Sequence, residues 1–180
     1  MSQPKAPPKV KLIASIFALD EEYITGAIQD LSDLFGPIDW ISELIPFNRT
    51  KYYEREMGWP LIRRFISFEM LVDPGDIADI KLKTNRLETK YSIDNKRCVN
   101  IDPGYVALER LVLATGKNYT HRIYLKDGIY ADLTLIFQKG SFSPLPWTYP
   151  DYKEEKIIQW FNKVREKYKD QLRGIMCQGA

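Results

Sequence analysis

The sequence predicts an α+β fold in which strands and helices alternate around a largely antiparallel sheet. Two observations support this prediction. Short apolar runs rich in β-branched and aromatic residues, VKLIASIFA at 10–18 and LIRRFISFEM at 61–70, are typical of buried strands. Between them lies a segment whose apolar residues recur every three or four positions, which is the spacing of a helix with one buried face.

The composition restricts the class of protein. The chain has 180 residues, of which 44% are hydrophobic and 28% charged, as in ordinary globular proteins. We expect one domain over residues 10–173, with a disordered tail at 1–9 and a frayed tail at 174–180. The 26 basic and 24 acidic residues give a net charge of only +2. This balance argues against a general nucleic-acid binder, although it allows a local basic patch.

The sequence lacks the patterns of a membrane anchor, a signal peptide and a zinc site. No apolar run approaches the roughly 20 residues that a membrane helix requires. The N-terminus, MSQPKAPPKVK, has no apolar stretch of signal-peptide length. Cys98 and Cys177 stand far apart and outside any CxxC or Cys/His spacing. We therefore expect no metal site, no membrane partner and a cytoplasmic location.

The first part of the chain is predicted to be strand, helix, strand, strand. After the strand at 10–18, Asp20 is the expected cap of a helix. The Gly-Pro pair at 36–37 is expected to end it, because glycine can turn left-handed and proline cannot continue a helix. A second strand is predicted at 40–47, and a third follows at 61–70.

A second helix is predicted after the third strand. Asp73 is its expected cap, and Pro74 is tolerated in its first turn. Along this helix Lys81, Asn85 and Glu88 lie at positions i, i+4 and i+7, so they share one polar stripe.

A fourth strand, at 97–101, completes the order β-α-β-β-α-β. This order is the split arrangement of ferredoxin-like folds, and we predict that architecture. The segment 106–113 has the pattern of either a strand or a helix. A β-hairpin and a last helix that starts at Asp151 are expected to extend the core, since Glu154 follows at capping-box spacing.

The register of the hairpin at 119–137 can be predicted by asking which pairing keeps one face apolar. A two-residue Asp-Gly turn would pair Leu125 with Tyr130 and would mix polar and apolar side chains on both faces. A three-residue loop at 126–128 pairs Leu125 with Ile129 and keeps one face apolar. We therefore predict the second register.

The other face of the hairpin is expected to carry polar and aromatic side chains. In the predicted register Arg122 lies opposite Asp132, and Tyr124 lies opposite Tyr130. Three interpretations remain open: a solvated outer face, a buried structural network, or the polar floor of a ligand site in which Arg122 holds an anionic group. His121, the only histidine, falls on the apolar face by parity, so we expect a structural role for it.

The segment SPLPWTYPDY at 143–152 combines three prolines with three aromatic residues. The prolines favour an extended path that holds the aromatic rings in place, either as a recognition loop or as cover for the core. The candidate ligand-binding residues of the chain are Lys117, Arg122, Tyr124, Tyr130, Asp132, Trp147 and Tyr149. No catalytic residue and no cofactor follows from these patterns.

Several segments resemble one known family. They are NIDPGYV, LVLATGK, HRIYLKDGIYADLTL and PLPWTYPDY, together with YYEREMG at 52–58 and KTNRLE at 83–88. Together they are similar to a family of short prokaryotic proteins catalogued as a domain of unknown function, number 4416. Many of its members carry the automatic label "GTP-binding protein", so the resemblance implies a nucleotide ligand.

The residues of the chain do not support a P-loop mechanism for such a ligand. A P-loop requires GxxxxGK[ST], whereas Lys117 is followed by Asn118 and no glycine stands five residues before Gly116. The NKxD sequence that reads a guanine base is also missing, because Asn-Lys at 95–96 is followed by Arg-Cys. A nucleotide would need another geometry, with Lys117 and Arg122 on its phosphates and an aromatic ring under its base.

Three functions from different classes are consistent with the sequence. We predict a binding module for a small anionic ligand, of which a nucleotide is one example. The first alternative is an enzyme with acid-base or divalent-metal chemistry, carried by carboxylates such as Asp102, Asp132 and Glu69. The second alternative is an RNA- or protein-interaction protein that uses an open face of the sheet.

Overall fold

A computed structural model of the chain describes residues 2–178, and within them eleven strands and four α-helices are formed. The strands are β1 (Val10–Ala18), β2 (Ile38–Ile41), β3 (Ile45–Phe47), β4 (Leu61–Val72), β5 (Ser92–Ile93), β6 (Lys96–Arg97), β7 (Val99–Val106), β8 (Arg110–Thr115), β9 (Arg122–Lys126), β10 (Ile129–Gln138) and β11 (Ser141–Pro144). The helices are α1 (Glu21–Phe35), α2 (Glu54–Met57), α3 (Ile77–Lys90) and α4 (Glu155–Gln178).

The ends of the chain differ in structure. Residues 2–9 have no helix or strand. The expected tail at 174–180 is helical as far as Gln178, and residues 179–180 lie outside the described part of the chain. In residues 2–178 no helix is both long enough and apolar enough to cross a membrane.

In this part of the chain nine strands form one sheet. Their order is β11-β10-β8-β7-β1-β4-β2, with β3 paired to β4 and β9 paired to β10. The pairs of this sheet are antiparallel. The predicted mixed fold with a largely antiparallel sheet is therefore confirmed.

Helices cover both faces of the sheet, and the side chains of β1 alternate between the two cores that the helices form with it. Leu12, Ala14 and Ile16 face α1 and α3, where they pack with residues such as Ile24 and Ile77. On the opposite face Ile13 packs with Phe65 of β4 and with Phe161 and Val164 of α4. In the described part of the chain α1 and α3 thus lie on one face of the sheet and α4 lies on the other.

The predicted helix starts are only partly correct. Asp73 accepts a hydrogen bond from the backbone N–H of Gly75 at 2.8 Å, in a short 3₁₀ turn that leads into α3. Asp20 occupies the cap position of α1, but its side chain makes no capping hydrogen bond. The last helix begins at Glu155 rather than at Asp151, because Asp151 lies in a separate 3₁₀ turn and pairs with Arg63.

Strands β7 and β8 pair over a short distance and then diverge. Their pairs run from Val106↔Leu111 to Gly104↔Leu113. At Gly104 the strands are so close that a Cβ would lie 2.4 Å from the carbonyl oxygen of Val112. The preceding residue, Pro103, has no N–H to donate to a neighbouring strand. The sheet is therefore open between residues 100–102 of β7 on one side and residues 113–117, in β8 and the turn after it, on the other.

The hairpin of β9 and β10 has a two-residue turn, so the predicted three-residue loop was wrong. Asp127 and Gly128 have φ angles of 50° and 77°, and Lys126 pairs with Ile129. A shift of register at Leu125 then corrects the pairing. The predicted pairs beyond this irregularity are formed, namely Tyr124↔Tyr130, Ile123↔Ala131 and Arg122↔Asp132.

The polar face of this hairpin is buried at Asp132 and Thr134, whereas the apolar side chains of β9 are exposed. Ile123 is 70% exposed and Leu125 is 38% exposed, whereas Asp132 is 2% exposed and Thr134 is fully buried. The reason is the loop after β11, which folds over the polar face. Its Thr148 hydroxyl donates to the backbone carbonyl of Thr134 at 2.5 Å.

Candidate functional site

A cleft of about 540 Å³ opens where β7 and β8 diverge, and we call it the β7–β8 cleft. Its walls include the loop between β3 and α2, the polar stripe of α3, the facing edges of β7 and β8, and residues 149–152, together with side chains of β4 and β10. Its lining combines aromatic rings with several charged side chains. In size and composition it falls within the range of small-molecule sites in proteins.

The polar stripe of α3 replaces the strand partner that β7 loses at this opening. The backbone N–H of Ile101 donates to Glu88 Oε1 at 2.7 Å, and the carbonyl of Ile101 accepts from Lys81 Nζ at 2.8 Å. Residues two positions apart in a strand direct their backbone N–H and C=O groups to the same edge, so Pro103 faces the opening as Ile101 does. Proline has no N–H that would need a partner there. Because buried backbone groups need partners, the stripe stabilises this edge.

Arg97 joins the stripe to α2 and β7. It donates to Glu56 through Nε and Nη2 at 2.6 and 2.9 Å, and through Nη1 to Glu88 and Asn100 at 2.9 Å each. These hydrogen bonds lower the pKa of Glu56 and raise the pKa of Arg97. Glu88 differs from Glu56, because burial disfavours its ionised form and raises its pKa. The wall of the cleft is thus a cross-linked network of charged groups.

Asp102 is the most accessible carboxylate of the cleft lining. Its Oδ2 accepts from Asn100 Nδ2 at 2.8 Å and its Oδ1 from Lys81 Nζ at 3.2 Å, while about a third of the side chain, 33%, is exposed. Both donors hold the carboxylate in one orientation. A bound molecule would meet Asp102 as a fixed hydrogen-bond acceptor.

Asp132 lies on the opposite side of the cleft and is held by residues of the hairpin. Its Oδ2 accepts from Arg122 Nε at 2.8 Å, and His121 Nε2 lies 3.2 Å from the same oxygen. The Arg122 guanidinium also donates to the carbonyl of Lys117 at 2.8 Å and to the Tyr149 hydroxyl. Arg122 therefore joins a strand, a turn and a loop around one buried carboxylate.

The predicted position of His121 on the apolar face was wrong. His121 precedes the first residue of β9, so strand parity does not determine its direction. Its ring stacks on the Trp147 ring at a centroid distance of 5.0 Å, and Trp147 Nε1 donates to the carbonyl of Leu133 at 2.8 Å. The only imidazole of the chain therefore lies between the loop and Asp132.

The structure places the seven candidate residues in three different surroundings. Lys117, Asp132 and Tyr149 line the cleft. Arg122 lies behind Asp132, and Trp147 anchors the loop. Tyr124 and Tyr130 contact each other edge to face at 5.4 Å on the hairpin, outside the cleft lining. The fold thus brings three of the candidates together in the cleft and leaves Tyr124 and Tyr130 outside it.

Sequence reasoning missed the deepest residues of the cleft. Arg63 and Asp151 form a buried ion pair, and the Arg63 Cζ lies 3.9 Å from the centroid of the Phe47 ring. Tyr53 and Tyr152 also line the cleft, and burial raises the pKa of both phenols. One signal was present in the sequence: Arg63 has the same strand parity as its apolar neighbours Leu61 and Phe65 in β4.

The metal hypothesis based on three carboxylates was wrong. In residues 2–178 no group of three or more His, Cys, Asp or Glu side chains is arranged to hold a metal ion. Asp102 and Asp132 line the cleft, but Glu69 follows Phe68 toward the far end of β4, where its carbonyl accepts from Gln171. Glu69 is therefore not part of the cleft lining that contains the other two.

The fold and this cleft define a class of protein: a mixed α/β protein whose antiparallel sheet is covered by helices on both faces and opens at a cleft between two diverging strands. The chain belongs to the family described as Domain of unknown function (DUF4416), whose model matches residues 8–168. The resemblance seen in the sequence is therefore confirmed. No curated protein and no solved structure matches the chain.

Proposed function

We propose that the β7–β8 cleft binds a small anionic ligand, and that a nucleotide is one ligand that would fit. The observation that carries this proposal is the convergence of Lys117, Asp132 and Tyr149 with further charged and aromatic side chains in one cleft of about 540 Å³. Concave sites with aromatic walls and a few convergent polar groups are the usual form of small-molecule sites.

Lys117 supplies the cation at the mouth of the cleft. Its Nζ lies 4.2 Å from the centroid of the Tyr52 ring, and within the described residues it makes no ion pair. Tyr52 is 66% exposed, so its ring also offers a surface on which a planar base would stack. The ligand contact thus requires no P-loop.

Isothermal titration of the purified protein with GTP, ATP, AMP and phosphorylated sugars tests this proposal. We expect saturable binding of at least one compound, and we expect Lys117→Gln to weaken it about tenfold, because a charge-assisted hydrogen bond is lost. Lys163→Gln removes an exposed lysine of α4 outside the cleft lining and serves as the matched control. If no compound binds, the proposal fails.

Enzymatic acid-base chemistry is the second candidate for the same cleft. It is favoured by the presence of two carboxylates, Asp102 and Asp132, in one lining, of which Asp102 is the more accessible. If a bound compound is also turned over, Asp102→Asn should abolish turnover and retain binding. Turnover that is unchanged in this variant would contradict the assignment.

We also propose that the core is ferredoxin-like. The elements β1, α1, β2, β4, α3 and β7 follow one another in the β-α-β-β-α-β order, and their strands are arranged β7-β1-β4-β2. The cytoplasmic location expected from the sequence stays a prediction, which imaging of the tagged protein in cells would test.

A further inference from the structure

We infer that the Arg63 guanidinium is the deep anion-recognition group of the β7–β8 cleft, and that it binds a carboxylate or phosphate of the ligand through two parallel hydrogen bonds. The inference rests on the proposed function, because it assigns chemistry to the same cleft. Its starting point is a buried donor without a partner: Arg63 Nε has no hydrogen-bond acceptor in the described residues, although Arg63 is only 4% exposed.

The ion pair with Asp151 leaves one edge of the guanidinium available. Asp151 Oδ2 accepts from Nη1, which lies on the side of the guanidinium away from the Nε–H. The Nε and Nη2 groups form the other edge, and within residues 2–178 the Nε–H finds no acceptor there. Two N–H groups on one edge match the spacing of two oxygens in a carboxylate or a phosphate.

Aromatic rings hold the guanidinium in this orientation. Its Cζ lies 3.9 Å from the Phe47 centroid, 5.3 Å from the centroids of Phe17 and Phe65, and 6.0 Å from that of Tyr152. Rings packed around a guanidinium restrict its rotation and exclude water from it. The unpartnered edge is therefore pre-organised and desolvated, and a ligand oxyanion would supply the acceptor that it lacks.

The cleft that Lys117 lines also contains Arg63 and the residues around it, namely Phe47, Asp151 and Tyr152. A ligand with an oxyanion at Arg63 would have its other end toward the mouth, where Lys117 and Tyr52 lie. The inferred ligand class is therefore an organic molecule with a terminal phosphate monoester or carboxylate.

Nuclear magnetic resonance of the full-length chain, labelled with ¹⁵N, tests this assignment. The Arg63 Nε–H signal is identified by its loss in Arg63→Lys. Phenyl phosphate and benzoate are the charged probes, and benzyl alcohol is the neutral one. We expect a charged probe, but not benzyl alcohol, to shift the Arg63 Nε–H signal, and the stronger of the two charged probes identifies the oxyanion.

Affinity measurements separate this inference from the proposed function. Arg63→Lys keeps the charge but loses the paired donors, so we expect binding to weaken about tenfold or more. Arg110→Lys, at an exposed arginine of β8 outside the cleft lining, should change the affinity less than about twofold. A probe that binds with unchanged affinity in Arg63→Lys overturns the inference and leaves the proposed function standing. No binding of any anion overturns both.

A second variant keeps the test decisive if Arg63→Lys does not fold. Asp151→Asn retains Arg63 and removes a nearby negative charge that repels a bound oxyanion, so the charged probe should bind more tightly, by roughly threefold. Weaker or unchanged binding in a folded Asp151→Asn protein would contradict the inference.

Discussion

Glu88 of α3 accepts the backbone N–H of Ile101 at 2.7 Å, at the position where β7 has left β8. A helix side chain thus completes the hydrogen bonding of a strand. The same carboxylate accepts from Arg97 at 2.9 Å, so one residue stabilises both the opening in the sheet and the wall of the cleft.

Glu88→Ala is expected to destabilise the protein by about 3 kcal/mol, because it leaves the buried N–H of Ile101 without its acceptor and removes one of the two carboxylates that pair with Arg97. Glu88→Gln keeps an acceptor oxygen for Ile101 and should cost less. Urea denaturation measures both free energies of unfolding, and hydrogen exchange of the Ile101 amide should accelerate in the alanine variant. Equal losses in the two variants would show that the hydrogen bond to Ile101 is not what Glu88 contributes.

The pair of Glu56 and Arg97 should make stability depend on pH. The hydrogen bond from Arg97 lowers the pKa of Glu56 below its ordinary value of 4.5, so the folded state favours the ionised carboxylate. This contribution is present above pH 4.5 and is lost as the pH falls through the lowered pKa. Wild type should therefore be more stable than Glu56→Gln at pH 7, and the difference should shrink toward pH 3 in urea titrations. A difference that is constant over this range would contradict the assignment.

Gly104→Ala is expected to destabilise the protein by roughly 2 kcal/mol or more, because the new Cβ would lie 2.4 Å from the carbonyl oxygen of Val112. The backbone of β8 cannot move away without breaking the short β7–β8 pairing. Gly116→Ala is the matched control, since a Cβ there meets nothing within 4 Å. Thermal unfolding of the two variants checks this, and a similar melting temperature for both would contradict the close approach of the strands.

Arg122→Lys distinguishes a structural network from a ligand contact. Lysine cannot reproduce the hydrogen bonds to Asp132, the Lys117 carbonyl and Tyr149, so we expect a loss of about 2 kcal/mol in stability. Trp147 fluorescence should change as the loop loosens. Lys126→Gln, which removes an exposed pair with Asp79, should cost less stability than Arg122→Lys. If Arg122→Lys weakens ligand binding and leaves stability unchanged, Arg122 is a ligand contact instead.

Local patterns predicted more of the fold than of the cleft. The strand at 10–18 and the end of α1 before Gly36 appear where the sequence predicts them, because both depend on residues that are neighbours in the chain. The pairs of Arg122 with Asp132 and of Tyr124 with Tyr130 were also predicted correctly, although the turn length was not. The extra residue at Leu125 compensates for the shorter turn, so the pairs beyond it keep the predicted register.

The sequence alone determined the strand at 10–18, the helix that follows it, the polar stripe on α3 and the pairing of Arg122 with Asp132. Only the tertiary structure decided which side of the hairpin is buried, since that depends on Thr148 and its loop folding back over β10. It also decided that Lys81 and Glu88 serve the edge of β7 and that Arg63 lies deep in the cleft. These contacts join residues that are far apart in the chain, and no periodic pattern encodes where two strands diverge.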